Sequence, residues 1–315
     1  MKQAETILDR SMDNLEQAAA QLARLVSDVT SIRIREPLAK RTTLRVGGPA
    51  DLYLEPASEK DLAAVVKYCS ENVLPILILG RGSNLLIRDG GFRGAVISLA
   101  HLFFSRIEFK ADRLHCGAGA RTKNVAMEAK RNGLSGVEFL EGIPGSVGGA
   151  LRMNAGAMGG ATFDAVESIR VMNFSGNIQD IRATDVSVEY RCCPMLKTHI
   201  GLSVVFKGKL APREMIERRM SEFSRKRWES QPASPSAGCM FKNPPAIPAG
   251  RLIDELGLKG TRVGGAMVSL EHGNFIVNDG GATAKDILEL IGLVKERVQL
   301  ERGIELQTEV QIVGE

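Results

Sequence analysis

The sequence lacks the features that mark a membrane protein or a nucleic-acid-binding protein. Its 315 residues contain no uninterrupted apolar run approaching the roughly 20 residues of a membrane-spanning helix. The N-terminus, MKQAETILDRSMDNLEQ, has no apolar core of a signal peptide. A net charge of only +4 is too balanced for the concentrated basic surface that binds nucleic acid. We therefore predict no membrane partner and no nucleic-acid partner.

Cysteine is also scarce. The five cysteines are odd in number and scattered, with Cys192 and Cys193 adjacent, and no CxxC pair or cysteine–histidine spacing suggests zinc. We therefore expect reduced thiols in the cytoplasm and no metal ion.

The composition that remains is that of an ordinary soluble globular protein, with 44% hydrophobic and 25% charged residues. A chain of this length exceeds the usual size of one hydrophobic core, so two or three subdomains are expected. Predicted strands and helices do not alternate strictly, which favours an α+β fold with mixed sheets over a doubly wound parallel sheet.

Local patterns predict individual elements. Apolar residues at steps of three and four over residues 7–26 form one helical stripe, which favours a single helix packed on the body of the protein over a coiled-coil seam. Ser58, with Asp61 three residues later, opens a second helix. A third helix over residues 122–131 stops at Gly133.

The second half of the chain changes character once. Residues 165–206 predict a β meander, and Pro212 then stands at a helix-start position, so we place a domain boundary near residues 208–211. A helix over residues 284–301 and a strand over residues 304–313 are predicted to close the chain.

Three charged residues have two interpretations each. Glu309 lies off the apolar face of the predicted last strand, where it is either solvated, as the period favours, or faces a cavity. Arg191 in EYRCCPMLK either makes a surface salt bridge or stabilises a developing oxyanion. Arg227 in RKRW is either on a solvated helix face or in contact with an anionic ligand.

Glycine is abundant, with 33 residues. It clusters in RVGGPAD at residues 45–51, LGRGSNLLI at 79–87 and EGIPGSVGGALRMNAGAMGG at 141–160. Glycine lets a backbone approach a ligand, and successive N–H groups can line a phosphate. None of the stretches is a Rossmann or Walker motif. With Ser83, Asn84 and Asn154 as side-chain donors, the three together favour a large nucleotide cofactor.

Cys239 lies in SPSAGCMFKNP, between a flexible Ser-Ala-Gly and a basic, aromatic Met-Phe-Lys-Asn. Such a thiol is a core residue, a metal ligand, a redox partner or a proton donor. The absence of CxxC and of histidine partners argues against a metal, and the lack of a nearby cysteine weakens a redox pair. Packing and proton donation stay open from the residues alone.

The ordered set of motifs closely resembles the UDP-N-acetylenolpyruvoylglucosamine reductases, flavoenzymes of peptidoglycan synthesis, from about residue 42 to residue 309. The motifs that follow the family's order are TLRVGGPADLYLEP, LGRGSNLLI, GIPGSVGGALRMNAGAMGG, YRCCPMLK, SAGCMFKNP, AGRLIDELGLKG, GGAMVSLEHGNFIVNDGGATAKDI and the strand with Glu309.

The resemblance implies a two-lobed FAD-binding domain of the vanillyl-alcohol-oxidase type and a C-terminal α+β substrate-binding domain. We expect an N-terminal helix within residues 1–30, the FAD domain over residues 31–210, with lobes at about 31–102 and 103–210, and the substrate domain over residues 211–315. We also expect a monomer.

The resemblance further implies non-covalent FAD and NADPH as the reductant. After NADPH leaves, the enolpyruvyl substrate receives a hydride from flavin N5 at C3 and a proton at C2. Arg191 matches an arginine that polarises the substrate carboxylate, and Glu309 matches a glutamate that stabilises the enol. Both roles suit the negative charge that hydride addition builds toward the carboxylate.

The remaining site residues follow from the same motifs. Those expected at FAD are Gly80, Arg81, Gly82, Ser83, Asn84, Leu85, Gly142, Ile143, Pro144, Gly145, Ser146, Val147, Gly148, Gly149, Ala150, Asn154, Ala155 and Gly156. Those expected at the substrate are Tyr190, Arg227, Lys242 and Asn243.

The sequence departs from the family pattern in two places. The position that usually holds the serine proton donor is Cys239, whose thiol, with an unperturbed pKa of ~8.5, is a stronger acid than a hydroxyl and can act as a general acid. Residues 208–232 are too short and too regularly helical for the tyrosine-bearing insertion of some members. We therefore expect the second class, which lacks that loop.

Two other functions are compatible with parts of this pattern. FAD oxidases of the same fold often tether the flavin through histidine or cysteine, but the glycine stretches contain no histidine, and His101 and His115 flank other strands. A non-catalytic nucleotide-binding protein would give Arg191, Cys239 and Glu309 no reason to converge.

Overall fold

The computed structural model describes residues 12–315. Its α-helices are α1 Met12–Ala23, α2 Glu59–Glu71, α3 Thr122–Arg131, α4 Val147–Arg152, α5 Arg213–Ser230, α6 Ala249–Glu255 and α7 Ala284–Arg302. Its strands are β1 Ser31–Pro37, β2 Pro49–Glu55, β3 Ile76–Leu79, β4 Leu85–Ile87, β5 Phe92–Ser98, β6 Ile107–Lys110, β7 Arg113–Gly117, β8 Leu134–Ser135, β9 Gly156–Ala157, β10 Gly160–Ala161, β11 Val166–Asn173, β12 Ile178–Arg182, β13 His199–Lys207, β14 Lys209–Leu210, β15 Ser236–Cys239, β16 Arg262–Val263, β17 Ala266–Val268, β18 Phe275–Asn278 and β19 Gln311–Val313.

The chain divides into two compact units. The first comprises residues 50–80 and 94–224 together with the described residues up to 36, and the second comprises residues 37–49, 81–93 and 225–315. The domain boundaries expected from the sequence stay a prediction.

The first unit contains two larger sheets. One has the order β1–β2–β5–β3 and includes the parallel pair β3–β5, and the other has the order β12–β11–β13–β7–β6, in which the neighbouring strands run antiparallel. The strands predicted over residues 165–206 form, but β13 pairs with β11 rather than with β12, so the predicted meander is wrong in its strand order. Side-chain alternation predicts strands but does not specify their partners. The parallel pair, set beside antiparallel ladders, confirms the α+β class with mixed sheets.

The local signals that open and close helices in this unit are confirmed. The Ser58 hydroxyl accepts a hydrogen bond of 3.1 Å from the backbone N–H of Asp61, which satisfies an otherwise unpaired donor in the first turn of α2. Helix α3 spans the predicted residues, and Gly133 follows it with a φ of +65°. A left-handed φ of this kind is what favours glycine after a helix.

Helix α1 packs within the first unit. Residues 7–11 of the predicted stripe lie outside the described residues. Ala18 and Leu22 of α1 are buried in one core with Leu62 and Val65 of α2. The phenol of Tyr68 also donates a 2.9 Å hydrogen bond to the side chain of Gln21. The predicted packing of an N-terminal helix on the body of the protein is therefore confirmed for the described part.

The second unit is built on the antiparallel sheet β15–β18–β17–β16, with α6 and α7 contributing to its core. The predicted last helix is confirmed as α7, which Thr283 and Asp286 cap reciprocally and Gly303 ends with a φ of +65°.

The predicted last strand is too long. Only β19 is regular strand, in parallel with β4, and residue Thr308 makes an isolated bridge to Phe241. Alternation of side chains predicts extended backbone but does not say where a partner strand is present. Within residues 12–315, no helix combines the length and apolar character needed to cross a bilayer.

Candidate active site

Cys239 ends strand β15 of the second unit immediately after a bulge. Ser236 pairs with Val277 and Cys239 pairs with Phe275, so β15 has one residue more than β18 between the two pairs. Gly238 adopts a φ of +76°, a conformation that favours glycine. A bulge re-aims the side chains beside it, so Gly238 sets the direction in which the half-buried Cys239 leaves the strand.

The other cysteines have different surroundings. None of the five forms a disulfide. Burial raises the pKa of Cys69 and of Cys116 to about 12 and also raises the pKa of Cys193. These three thiols are buried core residues, whereas Cys192 and Cys239 are half-buried. Cys69, Cys116 and Cys193 are thus packed in the core, whereas Cys239, for which the sequence also allowed a core role, is more exposed than they are.

Glu309 is joined to the same segment through the backbone. Its N–H donates a 2.8 Å hydrogen bond to the carbonyl of Met240, the residue after Cys239. Its own carbonyl accepts a 3.3 Å hydrogen bond from the side-chain amide of Asn84. Glu309 is half-buried. Three predicted site residues that are distant in sequence therefore lie on adjoining backbone segments.

The predicted cofactor loop at residues 80–85 contributes most of its length to this unit. Gly82 has a φ of +61°, and a Cβ there would lie 2.7 Å from the Cα of Thr42. The hydroxyl of Thr43 donates a 2.7 Å hydrogen bond to the carbonyl of Ser236, at the start of β15. The segment 42–43 therefore contacts both the loop, through Gly82, and β15, through the Thr43 hydroxyl.

The predicted substrate residues of this unit lie at its surface. Lys242 and Asn243 are exposed, and Arg227 on α5 is half-buried. The side-chain oxygen of Asn243 accepts a 3.0 Å hydrogen bond from the N–H of Ala249, at the start of α6. Asn243 therefore also shapes the loop that leads into α6.

The predicted cofactor residues 142–150 lie in the first unit, in a turn leading into α4. Ser146 is the N-cap of that helix, its hydroxyl accepting from the N–H of Gly149 at 3.5 Å. Gly148 donates a 2.7 Å hydrogen bond to the carbonyl of Ala118, and a Cβ on Gly80 would lie 2.6 Å from the Ser146 hydroxyl. Two glycines here are thus fixed by close packing.

Tyr190 and Arg191 form the tip of a tight turn in the same unit. Glu189 and Cys192 exchange backbone hydrogen bonds of 2.8 and 3.2 Å across it. Arg191 has a φ of +57°, which is uncommon for a residue with a Cβ and is found where surrounding structure enforces it. Its guanidinium carbon lies 5.0 Å from the centre of the Tyr190 ring, which is 60% exposed.

The same turn contacts the last predicted cofactor residues. The side-chain amide of Asn154 donates a 3.3 Å hydrogen bond to the carbonyl of Glu189, and a Cβ on Gly156 would lie 3.2 Å from a guanidinium nitrogen of Arg191. Asn154 also has a positive φ, +36°. The structure thus brings Arg191, Asn154 and Gly156 together.

Sequence reasoning missed residues whose side chains support the site. Asn274, whose side chain bonds to the backbone of Phe241, and Thr43 were not singled out as site residues. Asn274 lies in the motif SLEHGNFIVN, but nothing local tells a buried, bonded asparagine from a loop asparagine.

Two families of known domains match separate parts of the chain. A profile of the FAD binding domain matches residues 50–182, and a profile of the UDP-N-acetylenolpyruvoylglucosamine reductase C-terminal domain matches residues 231–313.

Relatives that match this chain over nearly their whole length are UDP-N-acetylenolpyruvoylglucosamine reductases. The UDP-N-acetylenolpyruvoylglucosamine reductase of Clostridium kluyveri is 42% identical over 306 residues, covering 96% of this chain and 100% of the relative. That of Listeria innocua is 42% identical over 287 residues, covering 90% and 96%. The crystal structure of the UDP-N-acetylenolpyruvylglucosamine reductase of Thermus caldophilus superposes with a TM-score of 0.78, at 42% identity, over 90% of this chain and 99% of that one.

These matches define the class of protein as an FAD-dependent oxidoreductase with a dedicated C-terminal domain. The chain belongs to the UDP-N-acetylenolpyruvoylglucosamine reductase family, which serves peptidoglycan biosynthesis.

Proposed function

We propose that this protein uses NADPH to reduce UDP-N-acetylglucosamine enolpyruvate to UDP-N-acetylmuramate. The observation that carries the proposal is the backbone link between Glu309 and the residue after Cys239. It places on adjoining segments the two positions to which the family resemblance assigns a proton donor and an enol-stabilising carboxyl group.

The glycine loops support FAD as the cofactor. Residues 80–85, 142–150 and 154–156 would hold it, and the fit is favoured because side chains are excluded at Gly80 and Gly82 by close neighbours, which leaves bare backbone. When bound, FAD supplies the hydride that reaches C3 of the substrate, after taking it from NADPH.

Cys239 is the residue that we assign to protonation at C2. In this role the Cys239 thiol transfers its proton as the carbon–hydrogen bond at C2 forms. Glu309 stabilises the enol and assists the return of a proton to the thiol. Cys239 follows a bulge in β15, and because a bulge re-aims the side chains beside it, this position supports a defined direction for the thiol.

Arg191 is the residue that we assign to the substrate carboxylate. Its permanent charge and planar set of donors match a carboxylate that gains negative charge as hydride adds. The positive φ of Arg191 supports this role, because backbone strain collects at functional positions. Tyr190, Arg227, Lys242 and Asn243 complete the proposed substrate contacts.

The proposal extends to the domains, the subclass and the assembly of the protein. Residues 31–210 form the FAD-binding domain and residues 211–315 the substrate domain. The protein belongs to the class without the tyrosine loop, which the unbroken 18-residue helix α5 supports. It works as a monomer in the cytoplasm, in keeping with thiols that form no disulfide.

Steady-state turnover tests the proposed reaction. The purified protein, mixed with UDP-N-acetylglucosamine enolpyruvate and NADPH, is expected to consume both while its flavin absorbance cycles between oxidised and reduced forms. A protein that NADPH does not bleach under anaerobic conditions would instead be a binding module. Yellow colour that stays with the denatured chain would point to a flavin-tethering oxidase.

A further inference from the structure

Asn274 has side-chain contacts that the proposed reaction does not by itself require. The residue is 2% exposed. Its side-chain oxygen accepts a 2.9 Å hydrogen bond from the N–H of Phe241, and its amide donates a 2.8 Å hydrogen bond to the carbonyl of Phe241. Its backbone carbonyl accepts a further 2.8 Å bond from the N–H of Met240. Asn274 therefore binds two consecutive residues that follow Cys239.

The side-chain contacts carry the ladder one residue further than the backbone does, from Met240 to Phe241. Strand β15 ends at Cys239, which pairs with Phe275, the first residue of β18. Beyond this pair the Asn274 amide takes the place of a strand, because it offers one acceptor and one donor as a peptide group does. The Asn274 side chain thus extends the order of the sheet to Phe241.

The opposite edge of the same segment meets Glu309. Lys242 donates 2.9 Å to the carbonyl of Gln307, and Glu309 donates 2.8 Å to the carbonyl of Met240. In this antiparallel bridge the bonds come from the residues that flank Phe241. The N–H and carbonyl of Phe241 therefore point away from Glu309, toward Asn274. Phe241 is buried, so without Asn274 both groups would lose these partners away from water.

We propose that Asn274 is a positioning residue that fixes Cys239 and Glu309 relative to each other. The Asn274 side chain bonds to Phe241 on one edge of segment 240–242, and residues 307–309 bond to Met240 and Lys242 on the other edge. These contacts on both edges fix the position of the Met240 peptide. The inference rests on the proposed function, in which Cys239 gives a proton and Glu309 stabilises the enol. Asn274 touches neither reacting atoms nor cofactor in this assignment.

Asn274→Leu tests the inference, because leucine has the same branched side-chain shape and neither hydrogen-bonding group. In stopped-flow experiments with the FAD-loaded enzyme, NADPH should bleach the variant flavin within about twofold of the wild-type rate. Reoxidation of the reduced variant by the enolpyruvyl substrate should slow by up to about 100-fold, since a misplacement on the order of 1 Å costs that much.

Asn278→Ala is the matched control. Asn278 ends strand β18, which Asn274 immediately precedes, and the side-chain amide of Asn278 donates a 3.2 Å hydrogen bond to the carbonyl of Leu44 rather than to residues 239–242. This variant should lose thermal stability while both half-reactions keep their wild-type rates.

Asn274→Ala provides a second variant, in case the leucine variant does not fold with bound FAD. Alanine removes both the acceptor for the N–H of Phe241 and the donor to its carbonyl without adding volume, so the same half-reaction should slow. Either variant that folds, binds FAD and reoxidises at the wild-type rate would overturn the inference, even with a lower thermal midpoint. A wild-type enzyme that never reduces the enolpyruvyl substrate would instead overturn the proposed function.

Discussion

At the residue scale, exposure separates Cys239 from most other thiols of the chain. Cys69, Cys116 and Cys193 are buried, and their raised pKa values follow from loss of solvation of the thiolate. Cys239 is half-buried at the end of a strand. A general acid must reach its substrate, so this exposure is a condition for the proposed role.

Two substitutions at Cys239 test that role. Cys239→Ser should retain substantial turnover, because a hydroxyl can also deliver a proton. Cys239→Ala should slow reoxidation by the enolpyruvyl substrate about 10²- to 10⁴-fold, the usual contribution of a general acid, while NADPH still bleaches the flavin. Cys192→Ala removes the other half-buried thiol and should change neither half-reaction. Normal product formation by Cys239→Ala would exclude the proposed donor.

Arg191 allows charge and backbone strain to be separated. Arg191→Gly removes the guanidinium while glycine accepts the φ of +57° without steric cost, so the free energy of unfolding should change by less than about 1 kcal/mol. Turnover should fall about 10²- to 10³-fold, as for loss of one oxyanion donor.

Arg35→Gly serves as the control, because Arg35 has a similar φ of +53° on β1 and is not a predicted site residue. It should keep wild-type turnover. An Arg191→Gly enzyme that also keeps it would show that Arg191 does not act on the substrate.

At the element scale, the bulge in β15 decides how the candidate proton donor is presented. One extra residue on this strand changes the alternation of side chains, so the strand pattern alone does not fix the direction of Cys239. Gly238 permits the bulge through its left-handed backbone. The element is therefore specified jointly by a glycine and by the pairing with β18.

Gly238→Ala should disturb this presentation. A side chain at a φ of +76° costs about 1–2 kcal/mol of stability, and relief of that strain by a local shift of β15 would move Cys239. We expect reoxidation by substrate to slow while flavin reduction stays near wild type. Stopped-flow rates and urea unfolding measure the two effects.

Gly303→Ala makes the same backbone change elsewhere. Gly303 ends α7 with a φ of +65°, and a Cβ there meets no atom within 4 Å. A similar loss of stability with unchanged rates is expected for this control. Equal slowing in both variants would attribute the effect to general destabilisation.

At the scale of the whole molecule, each unit has its own interior. The first contains two hydrophobic clusters and the second contains one, which joins α6 and α7 to the sheet β15–β18–β17–β16. Within the second unit, His272 is a partly buried titratable group, and its ring nitrogen Nδ1 accepts a 3.1 Å hydrogen bond from the N–H of Asn274. Protonation of that nitrogen would break the bond.

The stability of the protein should therefore fall in acid partly because of His272. Burial and the nearby charge of Lys259 lower the pKa of His272 in the folded state, so the unfolded state binds more protons below its own pKa of about 6.5. The contribution of His272 is fully present above that pH and is lost as pH falls through it toward the lower folded pKa. Its slope cannot exceed about 1.4 kcal/mol per pH unit.

Urea unfolding between pH 8 and 5, monitored by fluorescence, measures this dependence. His272→Gln should flatten the acid side of the curve, whereas His115→Gln, a change at an exposed residue of the first unit, should leave it unchanged. An unaltered curve for His272→Gln would show that other groups cause the loss.

Features that depend only on neighbouring residues in the chain were predictable from the amino-acid sequence. The Ser58 cap, the bounds of α3 and the presence of strands over residues 165–206 were predictable because capping, glycine stops and side-chain period act over a few residues. The family resemblance added the candidate site residues, since their motifs are contiguous.

Which of these segments lie next to each other is visible only in the folded protein. The side chain of Asn84 donates a hydrogen bond to the carbonyl of Glu309, 225 positions away in the sequence. Strand β4 pairs with β19, and the side chain of Asn274 donates a hydrogen bond to the carbonyl of Phe241. The strand predicted over residues 304–313 was too long for the same reason. Pairing between distant segments depends on which partner the whole fold brings within hydrogen-bond reach, and no local period or composition records that.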